Sequence, residues 1–307
     1  MKPLMSIIIP AYKKDYLQEC IESVLRQSYR NWQLIVVNDN SPFDIDSIVM
    51  RFSDERIHYR KRSKGFGGRC LVDNWNDCLR DVVGEYVINM GDDDVLLPDC
   101  LEEYSRLVGS YPEVDVFHGW TEIIDEHSNV VDVCPQHPQH ESVFAFMQRI
   151  MSGEDLYIGD LLIKTEKLRS MGGYVDFPHA WHSDHITAYD AALENGVVST
   201  EKIVFAYRKH NKTISLSKDN LMPKLEADIN AYRWYGEFLD KEKNNERDSL
   251  ISKSLKDKLP YLLRRKICQD LSEGCKHMPW KTIPYIPFIL KHSLGFRTLA
   301  KVIIYSI

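Results

Sequence analysis

The first hundred residues alternate short, almost wholly apolar runs with stretches of helical period, and few folds accept that alternation. Residues 6–9 are Ser-Ile-Ile-Ile, a strand expected to stop at Pro10. Gln33-Leu34-Ile35-Val36-Val37 is a second apolar run, closed by the turn-forming Asn38-Asp39-Asn40-Ser41-Pro42. A short third strand is expected at 57–59 and a fourth at 85–90. Between them, Asp15 with Gln18 three residues on predicts a helix start, and Tyr16, Leu17, Cys20, Ile21, Val24 and Leu25 give that helix an apolar stripe. A further helix is expected near 71–82, after the glycines of Lys64-Gly65-Phe66-Gly67-Gly68. Strands apolar on both faces and separated by helices predict an α/β fold with a parallel sheet covered on both sides. Such sheets bind ligands at the carboxyl ends of their strands, where Tyr12, Asp39 and residues 92–94 would gather.

The fourth strand runs directly into Gly91-Asp92-Asp93-Asp94, which Val95-Leu96-Leu97-Pro98 follows. Three adjacent carboxylates pinned between apolar segments repel one another unless a cation sits among them. A hard, oxygen-ligated ion such as Mg²⁺ or Mn²⁺ suits that cluster, with phosphate oxygens completing its shell.

Composition bounds the class. The chain has 307 residues, 44% hydrophobic and 27% charged, enough for one large or two modest folded domains. No apolar run approaches the roughly 18 residues of a membrane span, and the apolar part of the N-terminus is short for a signal peptide, so a cytoplasmic location is expected. Seven cysteines without a C-x-x-C pair indicate neither a disulfide framework nor a zinc ribbon. Residues 247–307 carry twelve Lys/Arg against four Asp/Glu, a balance of +8, which leaves −14 on the remainder of a chain of net charge −6. An acidic body with a basic tail argues against nucleic-acid binding and suits a tail that meets an anionic partner.

Beyond residue 98 the pattern is mixed. Strands are expected at 114–120, 122–124, 129–131 and 160–163, helices at 142–151 and 185–195, and helical structure from about 221 onward.

The order of motifs resembles the family 2 glycosyltransferases, inverting nucleotide-sugar-dependent enzymes of GT-A fold that build bacterial and other polysaccharides. The resemblance covers roughly residues 4–217. It rests on Ser6-Ile7-Ile8-Ile9-Pro10-Ala11-Tyr12, Val36-Val37-Asn38-Asp39-Asn40-Ser41, Gly84-Glu85-Tyr86, Gly91-Asp92-Asp93-Asp94, Gly172-Gly173-Tyr174, Ser183-Asp184 and Tyr207-Arg208-Lys209-His210. It implies a GT-A domain over 1–218, with a nucleotide-sugar half at about 1–98 and an acceptor half at about 99–218. A helical, basic region would occupy 219–307.

Site residues follow from the same resemblance. Pro10, Ala11 and Tyr12 would lie beside the nucleobase, and Asp39 would accept from the uracil imide N–H. Arg69 would reach a base carbonyl or a phosphate. Asp92 would hold the ribose, Asp93 the metal, and Asp94 would support it as a further metal-side carboxylate. His210 would add an imidazole near metal and diphosphate, and Arg208 or Lys209 would face phosphate. Asp184 is the implied general base, which takes the proton of the acceptor hydroxyl during direct displacement. Gly173, Tyr174, Trp181 and His182 would form the acceptor side, and His179, His182 and His185 read as acceptor contacts rather than zinc ligands. Cofactor and partners would be Mn²⁺ or Mg²⁺, a nucleotide-sugar donor with UDP favoured, and a glycan or lipid-linked glycan acceptor of cell-surface polysaccharide synthesis. The sequence departs from the family pattern at Gly91, Asn38, Asn40 and Asp73-Asn74.

Two other readings compete. A nucleotidyltransferase shares such a sheet but needs a glycine-rich signature after strand one, and Ala11-Tyr12-Lys13-Lys14-Asp15 has no glycine. A catalytically inactive nucleotide-sugar-binding subunit is the non-enzymatic alternative. In the tail, Arg264-Arg265-Lys266 adjoins apolar Tyr261-Leu262-Leu263, and Lys291 and Lys301 are interleaved with Phe288, Ile289, Leu290 and Leu294. That mixture predicts peripheral contact with the inner face of a membrane, against the alternatives of packing on the body or a homodimer.

Overall fold

The computed structural model describes residues 2–68, 70–210, 221–276 and 278–305. The chain divides into two compact units, Met1–Asp176 with Ser183–Thr213, and Phe177–His182 with Ile214–Ile307.

In the first unit, β1 (Met5–Ala11), β2 (Trp32–Asn38), β3 (Ile57–Lys61) and β4 (Tyr86–Asn89) are parallel, in the order β3-β2-β1-β4. This half matches the expected parallel sheet. Beyond β4 the sheet becomes mixed. β9 (Leu161–Lys164) runs antiparallel to both β4 and β6 (Val116–Ile124). β10 (Val197–Arg208) is parallel to β6, and β5 (Val95–Leu96) closes that side antiparallel to β10. Two short strands, β7 (Val130–Val133) and β8 (His140–Glu141), pair with β6 and β10.

Alternate residues of the parallel strands face opposite ways, and both sets are buried. Ile7, Ile9, Leu34, Val36 and Ile88 pack with Leu17, Ile21 and Val24 of α1 (Leu17–Leu25) and with neighbouring elements. Ile8, Ile35, Val37 and Val87 on the opposite face are at most 1% exposed. Each such side chain contributes about 1.5–3 kcal/mol of transfer free energy, so the continuous apolar runs are required by a sheet covered on both faces. Helices α2 (Ile45–Val49), α3 (Leu71–Leu79), α4 (Cys100–Ser110), α5 (Val143–Met151), α6 (Thr165–Ser170) and α7 (Ser183–Ala191) complete the unit.

Several boundaries differ from expectation. Pro10 lies inside β1. The β1–β4 register ends at Ile8 while Pro10 is still opposite Val37 of β2, so the missing N–H falls where β4 no longer pairs. The cap of α1 is Tyr16, without a side-chain bond, and not Asp15. The two strands expected at 114–124 are one strand, because Trp120 and Thr121 continue the ladder to β10. Helix α7 begins at Ser183, two residues earlier than expected.

The second unit is helical: α8 (Leu221–Phe238), α9 (Glu246–Gly274), a 3-10 segment Pro279–Tyr285, α10 (Ile286–Lys291) and α11 (Phe296–Tyr305). Leu221, Leu225 and Ile229 of α8 meet Ile267 and Leu271 of α9 and Phe288, Ile289, Leu294 and Val302 from the later elements. Gly274 permits this contact, since a Cβ there would come within 2.6 Å of a Leu221 methyl. The tail is therefore in part a core of its own. Trp280, Ile283, Leu290 and Ile304 remain more than half exposed. No helix among the described residues is long and apolar enough to cross a membrane. All seven cysteines are free.

Candidate functional site

The four parallel strands deliver their following loops to one edge, and the loops are tied there by side-chain bonds. Asp92 Oδ2 accepts from the backbone N–H of Tyr12 (2.7 Å) and Lys13 (2.6 Å), joining the β1 and β4 loops. Ser41 donates its hydroxyl to Tyr12 O at 2.6 Å and so brings in the β2 loop. Asp39 binds the loop after β3: Oδ1 accepts from Arg62 Nη1 (2.8 Å) and Phe66 N (2.9 Å), and Oδ2 accepts from Gly67 N (3.0 Å). Gly65 is needed for that approach, because a Cβ would stand 2.2 Å from Asp39 O.

Asp39, expected to face a base, thus has three donors already, leaving about one lone-pair site of roughly four for a ligand. Tyr12 is 44% exposed, as a ring available to a ligand should be, whereas Ala11 is fully buried and Pro10 only partly exposed. Arg69 lies outside the described residues.

The three aspartates are buried and do different things. Asp92 is tied to the β1 loop. Asp94 Oδ1 accepts from Arg208 N at 3.0 Å. Among the described residues, only Asp93 of the three meets a lysine and a histidine: its Oδ2 lies 2.6 Å from Lys13 Nζ and 2.9 Å from His210 Nε2. Burial and the charge of Asp93 push Asp92 up to about 6, and the same causes raise Asp94. Burial also opposes ionisation of Asp93, but Lys13 and His210 prevail and hold it below the usual carboxylate range.

This donor set fits a hard divalent ion. Two cis ligands about 2.1 Å from an octahedral ion stand about 3 Å apart, which is the separation of Asp93 Oδ2 and His210 Nε2. Mg²⁺ and Mn²⁺ commonly take one or two protein ligands and fill the shell with water and phosphate oxygens. Among the described residues no three His, Cys, Asp or Glu side chains converge as an all-protein cage. Asp94, expected on the metal side, has its Oδ1 on the β10 backbone, because β5 pairs with β10 and brings Arg208 N beside it.

Arg208, expected to face phosphate, is a fully buried strut. Its guanidinium donates to Asp93 O (2.7 Å), Asp125 O (3.1 Å), Ser128 Oγ (2.9 Å) and Glu19 Oε2 (2.8 Å) and lies over the Tyr16 ring.

The expected acceptor residues separate. Gly173 has φ +105°, and its place against Asn76 leaves no room for a Cβ. Asn76 brackets the next residue by accepting from Tyr174 N (2.7 Å) and donating to Tyr174 O (3.1 Å). Tyr174 is only 4% exposed, its ring edge-on to Trp75, so it is packing and not a contact surface. Asp184 sits partly exposed in the first turn of α7, with Oδ1 accepting from His185 N at 2.8 Å. Trp181 and His182 belong to the second unit. There Lys224 lies over the Trp181 ring. His182 Nε2 meets Asp228 Oδ1 (2.7 Å) and its Nδ1 meets the Tyr235 hydroxyl (2.9 Å), so both ring nitrogens are engaged. An acceptor contact through them is corrected to a structural anchor.

Residues 6–148 match the model of glycosyl transferase family 2. Those residues form a family 2 glycosyltransferase domain. An uncharacterized glycosyltransferase of Rickettsia typhi is 29% identical over 171 residues, which cover 53% of this chain and 52% of the relative. The Escherichia coli UDP-Glc:alpha-D-GlcNAc-diphosphoundecaprenol beta-1,3-glucosyltransferase WfgD is 31% identical over 131 residues, 41% of this chain and 49% of that protein. The chain thus spans about half the length of the curated relatives it matches. Among solved structures, Staphylococcus aureus TarS 1–349 in complex with UDP-GlcNAc superposes with a TM-score of 0.64 at 17% identity, covering 100% of this chain and 89% of that one. At that identity the likeness establishes the fold, which is of GT-A type. The nucleotidyltransferase reading falls with the family match.

Three residues that support the glycosyltransferase domain's loops were not singled out from the sequence. Arg62, 9% exposed, links Asp39 to Asn74 Oδ1 (2.5 Å) and to Asp77. Lys13 supplies the ammonium beside Asp93, and Asn76 fixes Tyr174. Each reads in sequence as an ordinary polar residue. A signal existed only for Arg62, since a buried Asp39 requires a charged partner.

Proposed function

We propose that the chain is a metal-dependent inverting glycosyltransferase. It moves a sugar from a nucleotide-sugar, preferably a UDP-sugar, to a hydroxyl of a glycan or lipid-linked glycan in cell-surface polysaccharide synthesis. The observation that carries the reading is the meeting of Asp93, His210 and Lys13 at the edge where the β1, β2 and β4 loops are tied together. WfgD, whose name specifies UDP-Glc, and TarS, solved with UDP-GlcNAc, support a UDP-sugar donor.

In this reading Tyr12 and Asp39 receive the base, and Asp93 and His210 hold Mn²⁺ or Mg²⁺. The bound ion would supply Lewis-acid stabilisation of the diphosphate leaving group. Lys13 adds a compact positive charge beside the same oxygens. Asp184 removes the acceptor hydroxyl proton as that oxygen bonds to the anomeric carbon. The anomeric carbon–oxygen bond to the diphosphate breaks on the opposite side, and its electron pair leaves with the diphosphate. Asp184 lies beyond the family-matched residues, and its role rests on the resemblance of Ser183-Asp184 to the family's base position. The exposed apolar and basic residues of 247–307 support peripheral contact with the inner face of a membrane, with a homodimer as the competing use of that surface.

A screen of UDP-, GDP- and dTDP-sugars with Mn²⁺, by thermal shift and sugar transfer, tests the activity. A donor at a hundred times its Kd adds about 2.7 kcal/mol of stability. Asp93→Asn is expected to lose metal-dependent donor binding while staying folded. Asp184→Asn is expected to keep donor affinity and lose transfer by about 10²-fold or more. Donor binding without turnover by the intact chain, under every donor and ion, would favour the inactive-subunit reading. Sedimentation with anionic vesicles tests the tail: binding should weaken in high salt, and its absence would leave those residues to packing or dimerisation.

A further inference from the structure

The C-terminal unit pairs some of its cations closely: Lys224 and Lys266 both meet Asp270 at 2.9 Å. Arg264, Arg265 and Lys301 are different, for none forms an ion pair with a described residue. All three line one cavity of about 870 Å³. On α9 the lining positions are 261, 264, 265, 268, 269, 272 and 273, which is the three-and-four spacing of a single helix face. Residues 294, 295, 298 and 301 supply the rest. One lining carboxylate, Glu273, accepts from Gln269 at 3.0 Å.

Apolar surface lies among these charges. Leu294 and Cys268 are buried. The hydroxyl of Thr298 donates to Leu294 O at 2.6 Å, and the Cys268 thiol donates to Thr298 O at 3.7 Å. Their polar atoms are thus spent inside the protein. Ser272 Oγ, also in the lining, is buried without a hydrogen-bond partner. The volume is that of a small-molecule site, commonly about 300–1,000 Å³. Unpaired cations beside an apolar wall match a phosphate ester that carries a hydrocarbon chain.

We propose that this cavity binds the phosphate headgroup and adjoining apolar segment of an anionic lipid. The assignment goes beyond the membrane-surface reading of the tail, which needs only exposed cations and apolar side chains. Free phosphate shares the headgroup chemistry and is the source to be distinguished.

The full chain is titrated by calorimetry with short-chain phosphatidylglycerol below its micelle concentration, with the matching phosphatidylcholine, and with inorganic phosphate. Saturable binding of one phosphatidylglycerol is expected, with the other two weaker by roughly tenfold or more. The triple variant Arg264→Gln, Arg265→Gln, Lys301→Gln should lose the lipid by a similar factor, with unchanged circular dichroism and unchanged donor binding. Inorganic phosphate binding as tightly as the lipid would make this a free-anion site and overturn the assignment. Equal binding of phosphatidylcholine, no binding by folded protein, or an unaffected triple variant would overturn it too. Because monomeric lipid presents no surface and donor binding is read separately, failure here is distinct from failure of vesicle binding or of the transferase reading.

Discussion

Replacing Arg208 with methionine separates a buried strut from a phosphate ligand. The guanidinium is fully buried and bonds two backbone carbonyls, Asp93 O and Asp125 O, as well as Ser128 and Glu19. Methionine keeps much of the volume and removes every donor. A buried acceptor left unpaired costs about 1–3 kcal/mol, and that acceptor is Asp93 O, since Asp125 O keeps the backbone N–H of Ser128 at 3.1 Å. The Glu19 carboxylate is 37% exposed, and water screens much of that pair. Relief of the arginine's own desolvation offsets part of the loss, which leaves an expected destabilisation of about 2 kcal/mol. With a urea slope of about 3 kcal/mol per molar, the midpoint of the first unit should fall by about 0.7 M with little change in slope. Arg208→Lys should recover only part of this, since an ammonium cannot reproduce the planar fork. Unfolding followed by far-ultraviolet circular dichroism and donor affinity by calorimetry are measured on the same preparations. If the midpoint moves by less than about 0.3 M while donor affinity falls more than tenfold, the strut is wrong and Arg208 acts on the diphosphate.

Arg62→Met should destabilise by about 3 kcal/mol, the lower end for breaking a buried pair, because Asp39 retains two backbone donors; adding Asp39→Asn should recover part of that loss in urea titrations, and additive losses would contradict the pairing. Asp228 supplies a pH test. Burial and Asp270 push its pKa up to about 8, against the opposing charges of Lys266 and Lys224, while His182 contacts its Oδ1. A folded-state pKa above the unfolded value means stability that is full below about pH 4 and is lost as pH rises towards 8, at up to about 1.4 kcal/mol per pH unit. Asp228→Asn should flatten that fall in melting temperature between pH 5 and 8, and parallel curves for the two proteins would contradict the buried proton.

The apolar runs determined much by themselves. Strands buried on both faces are apolar at most positions, so β1, β2 and β4 could be read directly, and with them the edge where Tyr12, Asp39 and the aspartates assemble. The helical character from residue 221 was equally legible, because its pattern is local. Long-range pairing was not. Nothing near residues 161–164 announces that β9 enters between β4 and β6 in the opposite direction, since strand direction is set by where the chain returns. The same limit governed individual side chains. Arg208 and His182 look like surface bases in sequence, yet one is locked beneath Asp93 and the other between Asp228 and Tyr235. Asp92, Asp93 and Asp94 are chemically identical neighbours. The fold separates them by giving one the backbone of the β1 loop, one the lysine and histidine, and one the backbone of β10. A carboxylate's role depends on which donors reach it, and those donors come from residues about 80 to 117 positions away.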